Sequence, residues 1–226
     1  MGYNKPGKAE ANAAYLRSIN FAGGQAYNEE KLAPNKTFLI ICEGQNTEPS
    51  YFDGFPVPSK TVLTLGGKNS KNSLVDYALK MQKEDEYAER EIWCVFDYDI
   101  KPDEAATQPN DFNSSIEKAE SNGLKVAWSN DAFELWFALH YVHLEVQLTR
   151  NEIYPILKEK WKLESFHKEA KTLDFCRGHY DRHNDFNGAS QLLAIRRAKH
   201  LHELQEGAKI MLNNALALPF ISWLYS

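Results

Sequence analysis

The sequence predicts an α/β fold, in which helices flank a parallel sheet and a helical C-terminal extension follows. Two observations lead to this prediction. Short apolar runs alternate with helix-patterned segments over residues 36–145, which is typical of consecutive βαβ units. After residue 146 only helical spacing remains. We therefore divide the chain into a polar N-terminal arm at 1–35, an α/β domain at 36–145 and the helical extension at 146–226.

Four apolar runs are the predicted strands. The first, residues 37–42 with the sequence TFLIIC, and the third, residues 91–96 with the sequence EIWCVF, are almost continuously apolar. This pattern is typical of strands that are covered on both faces, as in a parallel sheet between two layers of helices. Shorter runs at 61–65 and 124–128 predict the second and fourth strands.

Helical spacing of apolar residues predicts the connections between these strands. Asn69, Ser70 or Asn72 can cap the helix after the second strand, and Asn122-Gly123 can end the helix before the fourth. The predicted helices span 72–86, 112–121 and 132–142 in the α/β domain and 150–160, 167–178 and 188–212 in the extension, with a short one near 9–19 in the arm.

Composition and charge exclude several classes of protein. The 226 residues carry a formal net charge of -5, so binding of nucleic acid by bulk basicity is excluded and would need a local patch or a metal. The three cysteines lack CxxC spacing, which argues against a zinc knuckle or a disulfide framework, and Cys42 and Cys94 are expected to be buried. No apolar stretch suits a membrane span or a signal peptide, so we expect a cytoplasmic protein without membrane partners.

Acidic residues follow three of the four predicted strands. Glu43 comes after the first strand, Asp97 and Asp99 after the third, and Asp131 with Glu134 after the fourth. Because ligands bind at the carboxyl ends of parallel strands, we expect these side chains to converge at one edge of the sheet. If the Asp97-x-Asp99 segment is extended, both carboxylates point the same way and can reach one ion. Carboxylate oxygens suit Mg²⁺ or Mn²⁺.

Each of these acidic residues also has a structural interpretation. Glu43 and Glu48 can complement the dipole at the start of a helix, which is the interpretation favoured for Glu48. Asp131 is favoured as an N-cap, and Asp97-Tyr98-Asp99 can be a turn. Glu134 lies inside an apolar helix, where an ionised carboxylate is costly unless it is paired or bound to a metal.

The basic residues and histidines leave further alternatives open. Lys68, in a polar loop after the second strand, can touch a substrate backbone. A basic cluster on the last helix is either a solvated face or a phosphate-binding patch, and it consists of Arg196, Arg197 and Lys199. His140 is expected to be a core histidine. His179 and His183 can bind zinc together with Cys176, but the interpretation favoured for them is a solvated, mixed-charge surface.

Two segments resemble motifs of a known family. IICEGQNTEPSYF resembles the opening motif of the RloB family and, more broadly, of the Toprim domain, in which Glu-Gly follows the first strand and Asp-x-Asp follows a later one. SNDAFELWFALHY resembles the RloB motif in which Ser-Asn leads into a Phe-Glu-Leu-Trp helix. The resemblance covers residues 37–145, and AIRRAKHL is more weakly similar to the family's C-terminal helix.

The resemblance implies a Toprim-like sheet and a Mg²⁺- or Mn²⁺-dependent nuclease that hydrolyses DNA or RNA, including tRNA, in anti-phage defence. Glu43, Asp97 and Asp99 would be metal ligands, Glu43 also a general acid or base, and Glu134 a further catalytic carboxylate. A defence-system protein and a second copy of the chain are further candidate partners. One alternative is a nucleotide- and metal-binding regulatory subunit of a defence complex without nuclease activity. Another is an interaction module that uses the apolar tail ALALPFISWLYS.

Overall fold

The structure is a computed structural model that contains a four-stranded, wholly parallel sheet with the strand order β2-β1-β3-β4. This confirms the predicted α/β class. The strands are β1 (Phe38–Cys42), β2 (Lys60–Thr64), β3 (Glu91–Asp97) and β4 (Lys125–Ser129). The structure describes residues 36–65, 70–99, 108–146, 148–183 and 188–207, and only the backbone of 108–110 and 205–207. The arm with its predicted helix at 9–19, Lys68 and the apolar tail lie outside the described residues.

Helices connect the strands and continue into the extension. They are α1 (Thr47–Asp53), α2 (Lys71–Met81), α3 (Gln108–Ser121), α4 (Glu134–Leu139), α5 (Arg150–Trp161), α6 (Leu173–Arg177), α7 (His179–Arg182) and α8 (Gln191–Gly207). Ser70 is the N-cap of α2, where its hydroxyl accepts a hydrogen bond from the Ser73 N–H at 3.2 Å. Gly123 ends the turn after α3 with a φ of 77°, as the Asn-Gly signal predicts.

Several helix predictions are wrong in extent: α3 begins at Gln108 rather than at residue 112, and α4 ends at Leu139 rather than at residue 142. Helix α2 ends at Met81 rather than at residue 86, because a series of turns leads from there into β3. The single helix predicted for 167–178 is divided into a π-helical turn at Phe166–Ala170 and helix α6. Thr172 separates the two, because its backbone is extended and its hydroxyl accepts the Phe175 N–H, so a new helix begins there.

The sheet lies between two apolar layers. Alternate residues of β1 face opposite sides, and all five are buried, as its continuous apolar run predicts. Helices α2 and α3 cover one face. Helices α1 and α4 lie over the other face, and α5 and α8 of the extension pack on α4 in the same apolar cluster. The extension therefore shares a hydrophobic core with the α/β domain.

None of the helices in the described part of the chain is both long and apolar enough to cross a membrane. Cys42 and Cys94 are buried, as predicted, and Cys176 is buried as well.

Candidate acidic site at the carboxyl edge of the sheet

Backbone hydrogen bonds continue beyond the strands and place the predicted acidic residues at one edge of the sheet. The Glu43 N–H donates to the Val95 carbonyl at 2.8 Å, one residue past the end of β1. The Tyr98 N–H donates to the Ser129 carbonyl at 2.7 Å, which extends the pairing of β3 with β4. Glu43 and the residues after β3 therefore have fixed backbones at the carboxyl edge.

Asp97 is the last residue of β3 and lies among other carboxylates. Its Oδ1 accepts a hydrogen bond from the Ser129 hydroxyl at 2.9 Å. Burial raises the pKa of Asp97 well above its usual value, and the neighbouring charges of Glu48, Asp99 and Glu134 raise it further. Mutual repulsion of this kind is the property expected of carboxylates that share a cation.

Asp99 has a different local structure from the one predicted. Its φ is 52°, in the left-handed region, so the Asp97-x-Asp99 segment turns at Asp99 instead of remaining extended. The Asp99 carboxylate lies 2.6 Å from Arg150 Nη2 and 3.6 Å from Lys71 Nζ. Sparsely populated backbone conformations of this kind cluster at functional sites, where the surrounding contacts maintain them.

Glu48 belongs to the site, although the sequence favoured a purely structural role. It does lie in the first turn of α1, as expected for a dipole-complementing residue. It is also buried, and burial together with the charges of Glu134 and Glu43 raises its pKa to about 7. A Cβ at Gly44 would overlap the Glu48 carboxylate, so the glycine is what gives this side chain its place.

Three cationic side chains surround the carboxylates, namely Lys71, Lys171 and Arg150. Lys71, the first residue of α2, contacts Glu43 at 2.7 Å. Lys171, from the extension, contacts Glu134. This ion pair supplies the partner that a buried, ionised carboxylate requires. Burial opposes the charge of both lysines, yet the neighbouring carboxylates raise the pKa of each above its usual value. The site is therefore a mixed cluster of charges.

Asp131 is not the N-cap that the sequence favoured, because Phe133 is the N-cap of α4 and Thr149 is that of α5. Its Oδ2 instead accepts the N–H of Arg150, the first residue of α5, at 3.1 Å. The Arg150 guanidinium also donates to both Asp131 oxygens, at 2.9 Å from Nε and 2.7 Å from Nη2. These hydrogen bonds and those to Asp99 raise the pKa of Arg150. Arg150 thus connects the start of the extension to the carboxyl edge.

The donor set of this edge fits a hard divalent cation, because every candidate ligand is a carboxylate. Within the described residues, no group of three or more His, Cys, Asp or Glu side chains is arranged so that it could hold a metal ion. The carboxylates of Glu43, Asp99 and Glu134 instead contact the cationic side chains just described.

The predicted basic patch lies away from these carboxylates. Arg197 Nη1 donates to the Leu139 carbonyl at 2.7 Å, which is at the C-terminal end of α4, whereas Glu134 begins that helix. Arg196 and Lys199 are exposed on α8. A phosphate-binding role for the three residues stays a prediction, as does that of Lys68.

The histidine predictions are partly wrong. His179 and His183 are buried rather than solvated, and both imidazoles stack on Phe137, with ring centroids 4.3 and 4.4 Å away. His140 is a core histidine, as predicted, and its Nδ1 bonds to the Trp136 carbonyl at 2.9 Å. In the described part of the chain, Nε2 of each of these three histidines has no hydrogen-bond partner. Burial lowers their pKa values, that of His140 to about 3.

Sequence reasoning missed the cations of the site. Lys71 carried a local signal, because a lysine at the start of a helix opposes the helix dipole and needs another reason to be there. Arg150 and Lys171 carried none, because they reach the site only through the packing of the extension.

Fold and site together define an α/β protein with a mixed-charge, carboxylate-rich site at the carboxyl edge of a parallel sheet. The family model of the RloB-like proteins matches residues 38–216. The chain therefore belongs to the RloB-like protein family, as its motifs indicated. Comparisons with curated proteins and with solved structures gave no match.

Proposed function

We propose that this chain is a metal-dependent nuclease that hydrolyses phosphodiester bonds of DNA or RNA, with tRNA as a candidate substrate, and that it acts in anti-phage defence. The convergence of Glu43, Glu48, Asp97, Asp99 and Glu134 at the carboxyl edge carries the proposal. The resemblance of the Glu-Gly and Asp-x-Asp motifs to those of Toprim domains supports a nucleic-acid substrate.

The proposed cofactor is Mg²⁺ or Mn²⁺, with Glu43, Asp97 and Asp99 as its ligands. Such a cation supplies the charge that polarises a phosphate and lowers the pKa of an attacking water. Ser129 orients the Asp97 carboxylate through its hydrogen bond. Lys171 lies beside Glu134, where its ammonium group can pair with a phosphate of the polyanionic substrate.

The second candidate is a regulatory subunit that binds a nucleotide with a metal and cleaves nothing. The pairing of the site carboxylates with Lys71, Arg150 and Lys171 favours it. Because these cations already balance the negative charge of the carboxylates, the site does not need a reacting metal ion for its stability. Its cationic groups can equally pair with the phosphates of a nucleotide.

A cleavage panel distinguishes the two candidates. The purified chain is incubated with plasmid, single-stranded DNA or total tRNA, with Mg²⁺, with Mn²⁺ and with a chelator. We expect metal-dependent cleavage of at least one substrate, which also identifies the substrate class. If no substrate is cleaved and ATP or GTP with Mg²⁺ raises the melting temperature, the regulatory candidate is supported instead.

A further inference from the structure

Lys71 lies at a position where the positive charge of a lysine is unfavourable. It is the first residue of α2, an 11-residue helix whose N-terminus already carries partial positive charge. Lys71 as a whole residue is 7 % exposed, so its ammonium group has also lost most of its hydrating water. Within the described part of the chain, the ammonium group of Lys71 contacts carboxylates, so the reason for this lysine lies in these partners.

Those partners are two of the three proposed metal ligands. Lys71 Nζ lies 2.7 Å from Glu43 Oε1 and 3.6 Å from Asp99 Oδ2. Glu43 follows β1 and Asp99 follows β3, so one ammonium group connects the ends of two neighbouring strands. A divalent cation bound by the same two carboxylates would form the same connection.

The other two cations make different contacts. The Arg150 guanidinium pairs with both Asp99 and Asp131, and the backbone N–H of Arg150 at the start of α5 also donates to Asp131. Lys171 contacts Glu134, which is not one of the three proposed metal ligands. Of these three cations, Lys71 is the one that contacts two of the proposed metal ligands.

We infer that Lys71 is a built-in substitute for the divalent cation: its ammonium group occupies the metal position between Glu43 and Asp99, and it must leave when the metal binds. This inference rests on the proposed function, because it assumes a divalent cation among these carboxylates. The Ser70 cap fixes the backbone of the first turn of α2, so the exchange requires movement of the Lys71 side chain alone. A site of this kind keeps its ligands in place without metal and lowers the apparent affinity for the metal.

The test is a titration of the metal-free full chain with Mn²⁺, in which free Mn²⁺ is followed by electron paramagnetic resonance. Lys71→Gln removes the competing cation, Lys171→Gln removes a partly exposed lysine from a different carboxylate, and Lys80→Gln removes an exposed lysine from the same helix. If Lys71 occupies the site in nine of ten unbound molecules, its removal lowers the dissociation constant about tenfold. We expect that shift for Lys71→Gln and less than about a threefold shift for each of the other two.

An equal shift for Lys71→Gln and Lys171→Gln would overturn the inference, because the effect would then be one of general charge. An unchanged or weaker affinity of Lys71→Gln would overturn it as well. Absence of Mn²⁺ binding in every version would contradict the proposed function itself. Mn²⁺ binding with the expected shift but without cleavage would leave the inference supported and count against the nuclease.

A second readout uses the unmodified protein and so does not depend on the folding of any variant. Lysines are acetylated with and without Mn²⁺, and each site is quantified by mass spectrometry. The inference predicts that Lys71 reacts slowly in the metal-free chain and several-fold faster with Mn²⁺, while the reactivity of Lys171 stays constant. Protection of Lys71 that is the same in both conditions would overturn the inference.

Discussion

At the scale of single residues, the site depends on which carboxylates have a cationic partner. Glu43, Asp99 and Glu134 each contact a lysine or an arginine, whereas burial and neighbouring carboxylates raise the pKa values of Asp97 and Glu48. The sequence predicted four of these five acidic residues from their positions after strands. It could not predict the pairing, because the spatial position of a cation such as Lys171 depends on tertiary packing.

Gly44→Ala tests whether the glycine makes room for Glu48. The added Cβ overlaps only the flexible end of the Glu48 side chain, so this carboxylate should leave the site while the fold adjusts. We expect a loss of less than about 1 kcal/mol in the free energy of unfolding, together with a weakened affinity for Mn²⁺. Urea denaturation and the Mn²⁺ titration measure the two effects. A variant that binds Mn²⁺ as the unmodified chain does would show that Glu48 is no part of the site.

Lys171→Met tests the ion pair with Glu134. The substitution leaves a buried carboxylate without its partner, since the side chain of Glu134 is only 4 % exposed. We expect a loss of about 1–3 kcal/mol in the free energy of unfolding, because the lysine itself is partly solvated. Adding Glu134→Gln should restore part of it, and Lys80→Met is the exposed control. Equal stability of Lys171→Met and the control would refute the pairing.

At the scale of secondary structure, the strands were the most predictable elements. The run TFLIIC is apolar because both faces of β1 are covered, so its sequence alone defined the strand. The segment after α5 was the least predictable. Its helical spacing is continuous, but Thr172 starts a new helix and the imidazoles of His179 and His183 pack into the core. Their burial depends on contact with Phe137, which lies in a distant part of the chain.

The histidine core should make the chain acid-labile. The pKa values of His140, His179 and His183 are lowered by burial, so the unfolded chain takes up protons first as the pH falls. The contribution of these histidines to stability should be complete above the unfolded pKa of about 6.5 and decrease below it, by up to about 1.4 kcal/mol per pH unit for each neutral histidine, whereas the raised pKa of Glu48, about 7, acts in the opposite direction.

The measurement is urea denaturation at a series of pH values between 7.5 and about 4. This range stays above the pKa of about 3 that His140 has in the folded chain. His183→Phe retains a ring that can stack on Phe137 but does not titrate. Below pH 6.5 its free energy of unfolding should therefore fall less steeply with pH, by the contribution of about one proton. His143→Phe, at a partly exposed position, is the control. Identical slopes for all three proteins would show that protonation of this core does not determine the acid response.

At the scale of the whole molecule, the extension contributes to both core and site. Helices α5 and α8 pack on α4 in the apolar cluster over one face of the sheet, while Arg150 and Lys171 contact site carboxylates. The division into domains at 36–145 and 146–226 followed the change in sequence texture and stays a prediction. We expect a fragment ending at residue 145 to lose cooperative unfolding, since its apolar face would be exposed. Calorimetry of the fragment and the full chain measures this, and a cooperative transition in the fragment would refute the expectation.

The central claim is that the carboxylates at the sheet edge cleave nucleic acid with a divalent cation. The most direct measurement is the initial rate of Mg²⁺-dependent cleavage of the substrate found in the panel, for the unmodified chain, Glu43→Gln, Asp97→Asn and the exposed control Glu120→Gln. Removing a ligand should cost about 10²-fold or more in rate, because it removes charge stabilisation in the transition state, while the control should retain full activity. Cleavage that is unchanged in Glu43→Gln and Asp97→Asn would contradict the claim and place the chemistry elsewhere.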